Sequence, residues 1–143
     1  MAGMVNSILD LVGNTPMVAL RRIAQGSRSP IVAKQEGSNP TGSVKDRVAL
    51  AMVLEAEKEG LLPEGTTIVE ATSGNMGLAL AMVASVKGYQ LELYMPENAP
   101  IDRRKLLSRC GVRIQLTPSV LGMDGAQQAA RDAVSSKPGR ISL

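Results

Sequence analysis

Thr66-Thr67-Ile68-Val69-Glu70-Ala71-Thr72-Ser73-Gly74-Asn75-Met76-Gly77 decides the fold class of this chain. Thr66 to Glu70 is short and β-branched, as strands are, and Met76 to Lys87 is rich in Leu, Ala and Met, which favour helix. Gly88 stands where a helix C-cap glycine belongs. Further along, Gln90 to Met95 alternates Leu91, Leu93 and Met95 with Glu92 and Tyr94, which predicts a second strand. Pro100 to Cys110 reads as a helix that starts near Pro and ends at Gly111. Val112 to Leu116 is a third strand and Gly125 to Ser135 a further helix. Strands alternating with helices in this way make βαβ units. The fold class is therefore α/β, an open parallel sheet with flanking helices.

Upstream the rhythm changes. Met17 to Leu20 and Ile31 to Lys34 are short strand candidates, and Gly37-Ser38-Asn39-Pro40-Thr41-Gly42 is dense in turn formers. A helix follows from about Ser43 to Gly60. At the other end, Lys137-Pro138-Gly139 makes a turn and Arg140 to Leu143 begins a fourth strand. A chain that ends as a strand starts is expected to be part of a larger unit.

Composition closes off much common chemistry. The 143 residues contain no His, no Trp, no Phe and one Cys, so His-based triads, His-ligated metals and internal disulfides are excluded. One cysteine suits a reducing compartment. A net charge of +3 is too even to suggest nucleic acid, and two Tyr offer few stacking surfaces. The longest nearly apolar run, Leu78 to Val86, is too short to span a bilayer. With no cationic start and apolar stretch of a secretory signal in Met1 to Leu20, a cytoplasmic protein is expected.

Two segments could hold chemistry. Ser43-Val44-Lys45-Asp46-Arg47 lies at the mouth of a helix, whose positive end disfavours an ammonium and favours an amine nucleophilic toward carbonyls. The alternative is that Lys45 is an ordinary surface lysine. A Walker motif is excluded, because two residues separate Gly42 from Lys45 and Asp46 stands where Ser or Thr is needed. The second segment, Ala71 to Gly77, lies between a strand and a helix, where open α/β sheets place ligands. Its amides and the Thr72 and Ser73 hydroxyls can hold an anion, and Asn75 can donate and accept. The alternative there is a plain helix cap by Ser73 or Asn75. Glu55, Glu57 and Glu59 spread over a helix without converging on a metal. Cys110 reads as a small buried hydrophobe, and Arg103-Arg104-Lys105 as a solvated helix face.

Asn39-Pro40-Thr41-Gly42-Ser43-Val44-Lys45-Asp46-Arg47, together with Glu70-Ala71-Thr72-Ser73-Gly74-Asn75, resembles the cysteine synthases (O-acetylserine sulfhydrylases). These are β-family enzymes dependent on pyridoxal 5′-phosphate, with the tryptophan synthase β-like fold. Gly13-Asn14-Thr15-Pro16 and Met95 to Arg104 look like the same family, and Ala33 to Gly37 leans toward its B-type branch. The resemblance implies that Lys45 binds the cofactor aldehyde and serves as catalytic base, and that Asn75 binds the cofactor ring hydroxyl. It further implies that Thr72, Ser73 and Gly74 grip the substrate carboxylate. Met76 stands where the family commonly has a Thr that adds a hydroxyl to this grip. The implied reaction replaces the acetate of O-acetyl-L-serine by a sulfur nucleophile to give L-cysteine, with no metal. A cystathionine β-synthase or serine dehydratase-like relative is the alternative enzyme, and a non-catalytic truncated product or docking piece the alternative of another kind.

The same resemblance divides the chain into residues 1–34, a stub of a large domain, 35–136, a small mobile domain, and 137–143, a strand returning to the large domain. The family's loop for the cofactor phosphate falls beyond Leu143, so the chain alone is expected to be inactive, and the complete enzyme to be a cytoplasmic homodimer acting on small molecules.

Overall fold

The computed structural model describes residues 3–143; Met1 and Ala2, which open the expected 1–34 segment, lie outside the described residues. Strands β1 (Met17–Ala19) and β2 (Val32–Lys34) form an antiparallel pair, with Met17 opposite Lys34. Five of their six residues are exposed, so this pair is not a core element within the described chain.

The second sheet is wholly parallel. It contains β3 (Thr67–Ala71), β4 (Gln90–Pro96), β5 (Arg113–Thr117) and β6 (Arg140–Ile141) in the order β5-β4-β3-β6. Parallel connections cross over with a right hand. The steps β3 to β4 to β5 run one way and place α2 (Asn75–Lys87) and α3 (Ile101–Arg109) on one face, beside α1 (Lys45–Lys58). The return from β5 to β6 reverses direction and places α4 (Gly122–Ser136) on the opposite face. The main core lies under the three-helix face, where Ala49 and Val53 of α1 and Leu80 and Val83 of α2 meet Ile68 and Leu93 of the sheet.

Helix α1 is shorter than the expected Ser43 to Gly60. Ser43 is the entry turn, its Oγ accepting the Lys45 N–H at 3.0 Å. At the far end Gly60 takes φ +72°, which lets its own N–H reach the Glu57 carbonyl at 3.0 Å and the Leu61 N–H reach the Ala56 carbonyl at 2.9 Å. That pairing satisfies the last carbonyls and stops the helix.

The strand expected to begin at Arg140 forms as β6: Arg140 pairs with Thr67 and Ile141 with Ile68. Without β6, β3 would be a sheet edge with unpaired backbone groups, although Ile68 and Val69 are wholly buried. In β4, Glu92 stands between Leu91 and Leu93 and is only 1% exposed, in the face that α4 covers. Its carboxylate accepts from Arg140 Nη2 at 2.9 Å and from the Tyr94 hydroxyl at 2.7 Å. A lone buried carboxylate costs several kcal/mol, and Arg140 offsets that while tying β6 to β4 across β3. Burial, with the Glu92 hydrogen bond second, pushes the Tyr94 hydroxyl pKa above its ordinary value.

Candidate active site

A closed loop delivers Lys45 to the first position of α1. Asp46 is fully buried, and its carboxylate accepts both the Thr41 N–H, at 2.7 Å, and the Thr41 hydroxyl. Gly42, inside that loop, takes φ +84°, a conformation that a side chain would strain. The negative charge of Asp46 also complements the positive end of α1. Lys45 itself is exposed, and among the described residues no carboxylate comes within ion-pair distance of its amine.

A polar network anchors this loop from behind. Glu36 accepts from Arg47 Nε at 2.8 Å, from Arg47 Nη2 at 3.1 Å and from the Thr15 hydroxyl at 2.8 Å. Those bonds, Arg47 first, hold the Glu36 carboxyl at a pKa of about 2. Asn39 accepts the Gly13 N–H at 2.8 Å and donates to Glu36 at its carbonyl, 2.8 Å, and its carboxylate, 2.9 Å. Lys34 Nζ donates to the Thr15 carbonyl at 2.7 Å. The Gly13–Thr15 segment, the second strand's end and the first turn of α1 are thus one hydrogen-bonded body.

The second segment leaves β3 at its C-terminal edge. The Thr72 N–H donates to the Tyr94 carbonyl at 3.0 Å, the Gly74 N–H to the Thr72 hydroxyl at 3.2 Å, and the Ser73 hydroxyl lies 3.7 Å from the Met123 sulfur. Gly74 is the N-cap of α2 and no side chain caps that helix. The plain-cap alternative for Ser73 and Asn75 therefore fails: Asn75 is the first helical residue, and its Oδ1 accepts from Arg103 Nη1 at 3.3 Å. Glu70, just upstream, is half-buried, and desolvation raises its carboxyl pKa although the Ala71 N–H donates to it at 2.8 Å. Met76 packs against the core cluster under α2.

The fold brings Lys45 and Asn75 to one end of the molecule. Helices α1 and α2 pack side by side, and Glu57 near the end of α1 is ion-paired to Lys87 at the end of α2 at 2.7 Å. Glu57 is twelve residues beyond Lys45, and Lys87 twelve residues beyond Asn75, about 18 Å along either axis. The helices therefore run in the same direction with Lys45 and Asn75 at matching levels, both where β3 ends. The Thr72–Gly74 loop opens at that same edge.

Sequence reasoning missed several contributors. Arg103 is not an idle solvated residue, since it reaches Asn75 from the first turn of α3. Glu36, Asn39, Arg47 and Thr15 carry the scaffold of the Lys45 loop, and the only signal was polar side chains inside and beside a turn-rich stretch. Cys110 is exposed at the end of α3, against expectation, because the helix turns its buried side at Leu107. Among the described residues no group of three or more His, Cys, Asp or Glu could hold a metal ion. Among them, too, no helix is long and apolar enough to cross a membrane.

Comparison with known proteins adds four findings. A family model described as pyridoxal-phosphate dependent enzyme matches residues 8–143. Cysteine synthase B of Salmonella typhimurium is 46% identical over 126 residues, 88% of this chain and 42% of that protein. A cysteine synthase B sequence from Pseudomonas syringae pv. syringae is 42% identical over 94% of this chain and 80% of its own length. Among solved structures, cysteine synthase from Entamoeba histolytica superposes with a TM-score of 0.94 at 32% identity, over 99% of this chain and 43% of that one. The chain thus spans less than half the length of most of these relatives.

Proposed function

The chain belongs to the pyridoxal-phosphate dependent enzymes, and within them to the cysteine synthases; from that premise we propose that it is the part of a cysteine synthase that carries the cofactor lysine and the substrate-carboxylate loop. The observation that carries this reading is the placement of Lys45 and Asn75 at the starts of two parallel helices, at one level, beside the Thr72–Gly74 loop.

These residues fit the cofactor. Lys45 presents an exposed amine without a carboxylate partner among the described residues, Asn75 an amide that caps nothing, and α2 an uncapped, positive end. Pyridoxal 5′-phosphate supplies an aldehyde and a ring that accepts electrons from the substrate α-carbon. Lys45 would hold the aldehyde at rest and, once displaced by O-acetyl-L-serine, take the α-proton on its Nζ. Asn75 would bind the ring hydroxyl. The Thr72 and Ser73 hydroxyls and the amides opening α2 would hold the substrate carboxylate, with Met76 behind them offering packing where a hydroxyl would add a bond. Acetate would leave with its bonding electrons, a sulfur nucleophile would add in its place, and Lys45 Nζ would return the proton to the α-carbon to give L-cysteine.

In the same reading residues 1–34 are part of a second unit, supported by the exposed apolar Met17, Val18 and Val32 of the β1–β2 pair, and the working enzyme is a cytoplasmic homodimer. The test is to mix the chain with pyridoxal 5′-phosphate, reduce with borohydride, and map modified lysines by peptide mass spectrometry. Label concentrated at Lys45 and lost in Lys45→Ala is expected. Equal label at Lys34, Lys58, Lys87, Lys105 and Lys137 would overturn the assignment.

A further inference from the structure

Asn75 is an ambidextrous side chain. Its amide offers a carbonyl acceptor on one side and two N–H donors on the other, and either can face a ligand. In this structure the choice is made by a neighbour. Arg103 Nη1 donates to Asn75 Oδ1 at 3.3 Å. A guanidinium has only donors, so the amide nitrogen cannot take that position. Nothing else in the first turn of α2 competes for the amide, because Gly74 provides the cap position and no side chain caps the helix. Among the described residues Arg103 enters no ion pair, so its charge is not spent on a carboxylate.

We propose that Arg103 is a positioning residue, which fixes Asn75 as a hydrogen-bond donor at the edge where α1 and α2 start. This rests on the proposed cofactor site. An ionised ring hydroxyl is an acceptor and needs a donor opposite it. With the Asn75 oxygen held by Arg103, both Asn75 N–H groups remain for that acceptor, and the adjacent positive charge polarises the amide and strengthens them. Arg103 thereby selects one of the two amide orientations before any ligand arrives. It acts from α3, so the orientation of a residue on α2 depends on the packing of α3 against it.

Two readouts test this on the full 143-residue chain. The first is the side-chain amide signal of Asn75 in spectra of the ¹⁵N-labelled protein without ligand. Arg103→Leu is expected to shift both amide protons, and Arg103→Lys, which keeps a charged donor, to shift them less. The second is borohydride trapping of pyridoxal 5′-phosphate on Lys45 at a sub-saturating concentration. Arg103→Leu and Asn75→Ala are each expected to lower trapping about two- to five-fold. The double variant should fall no further, since one residue acts through the other. Loss in Asn75→Ala with no change of signal or trapping in Arg103→Leu would overturn the inference alone, as would losses that multiply in the double variant. No loss in Asn75→Ala would overturn the assignment of Asn75 to the cofactor, and the inference with it.

Discussion

Asp46→Ala should open the loop that presents Lys45. The carboxylate is fully buried and accepts two hydrogen bonds from Thr41, one from its N–H at 2.7 Å and one from its hydroxyl. Bonds to a charged acceptor contribute roughly 1.5–3 kcal/mol each, and an acidic residue in a first helical turn adds roughly 0.3–1 kcal/mol. Thr41 is only half-buried, so water re-satisfies part of what is lost. The expected cost is therefore about 2–4 kcal/mol for Asp46→Ala and about 1–2 kcal/mol for Asp46→Asn, which keeps one acceptor oxygen. With a urea slope of roughly 1–3 kcal/mol per molar, the alanine variant should unfold about 1–2 M earlier in a far-ultraviolet circular dichroism titration. The damage should also be local to function: trapping of pyridoxal phosphate at Lys45 should drop even at urea concentrations where the variant is still folded. A midpoint that moves by less than about 0.3 M would refute the claim that this closed loop is held by Asp46.

Glu36→Gln should destabilise the chain at neutral pH, and the difference from wild type should close with acid. The native Glu36 carboxyl stays charged down to about 2 against an ordinary value of 4.5. Its contribution is therefore complete above about 4.5 and disappears as pH falls through about 2. Denaturant titrations at several pH values check this, and a gap that stays constant from neutral pH to pH ~2 would contradict it. Gly77→Ala should destabilise by about 1 kcal/mol, although Gly to Ala inside a helix ordinarily stabilises by roughly 0.5–1 kcal/mol. An added Cβ would sit 3.0 Å from Leu93 Cδ1 and 3.1 Å from Thr72 Cγ2 in a filled core. A raised melting temperature would show that Leu93 yields.

Local signals were enough for the element order. Strand β3, helix α2 and the capping glycines Gly60, Gly88 and Gly111 follow from β-branching, side-chain preference and the positive φ that glycine alone takes freely. The two segments of the candidate site were legible for the same reason: Lys45 and Thr72–Asn75 sit at loop-to-helix junctions, and junctions are written in short runs of Gly, Ser, Asn and Pro. What joins those segments was not legible. The level match of Lys45 with Asn75 comes from the side-by-side packing of α1 and α2, whose far ends meet at the Glu57–Lys87 pair, thirty residues apart in sequence. The orientation of Asn75 depends on Arg103, and the rigidity of the Lys45 loop on Glu36 and Thr15. For β6 the strand start at Arg140 was legible but its place in the sheet was not: an open edge on β3 and a buried Glu92 that needs a cation put it there. A hydrogen bond between distant residues leaves no periodic trace along the chain, because either partner alone is an ordinary polar side chain. Only the packed sheet and helices bring the partners within 3 Å or so of each other and give them a role.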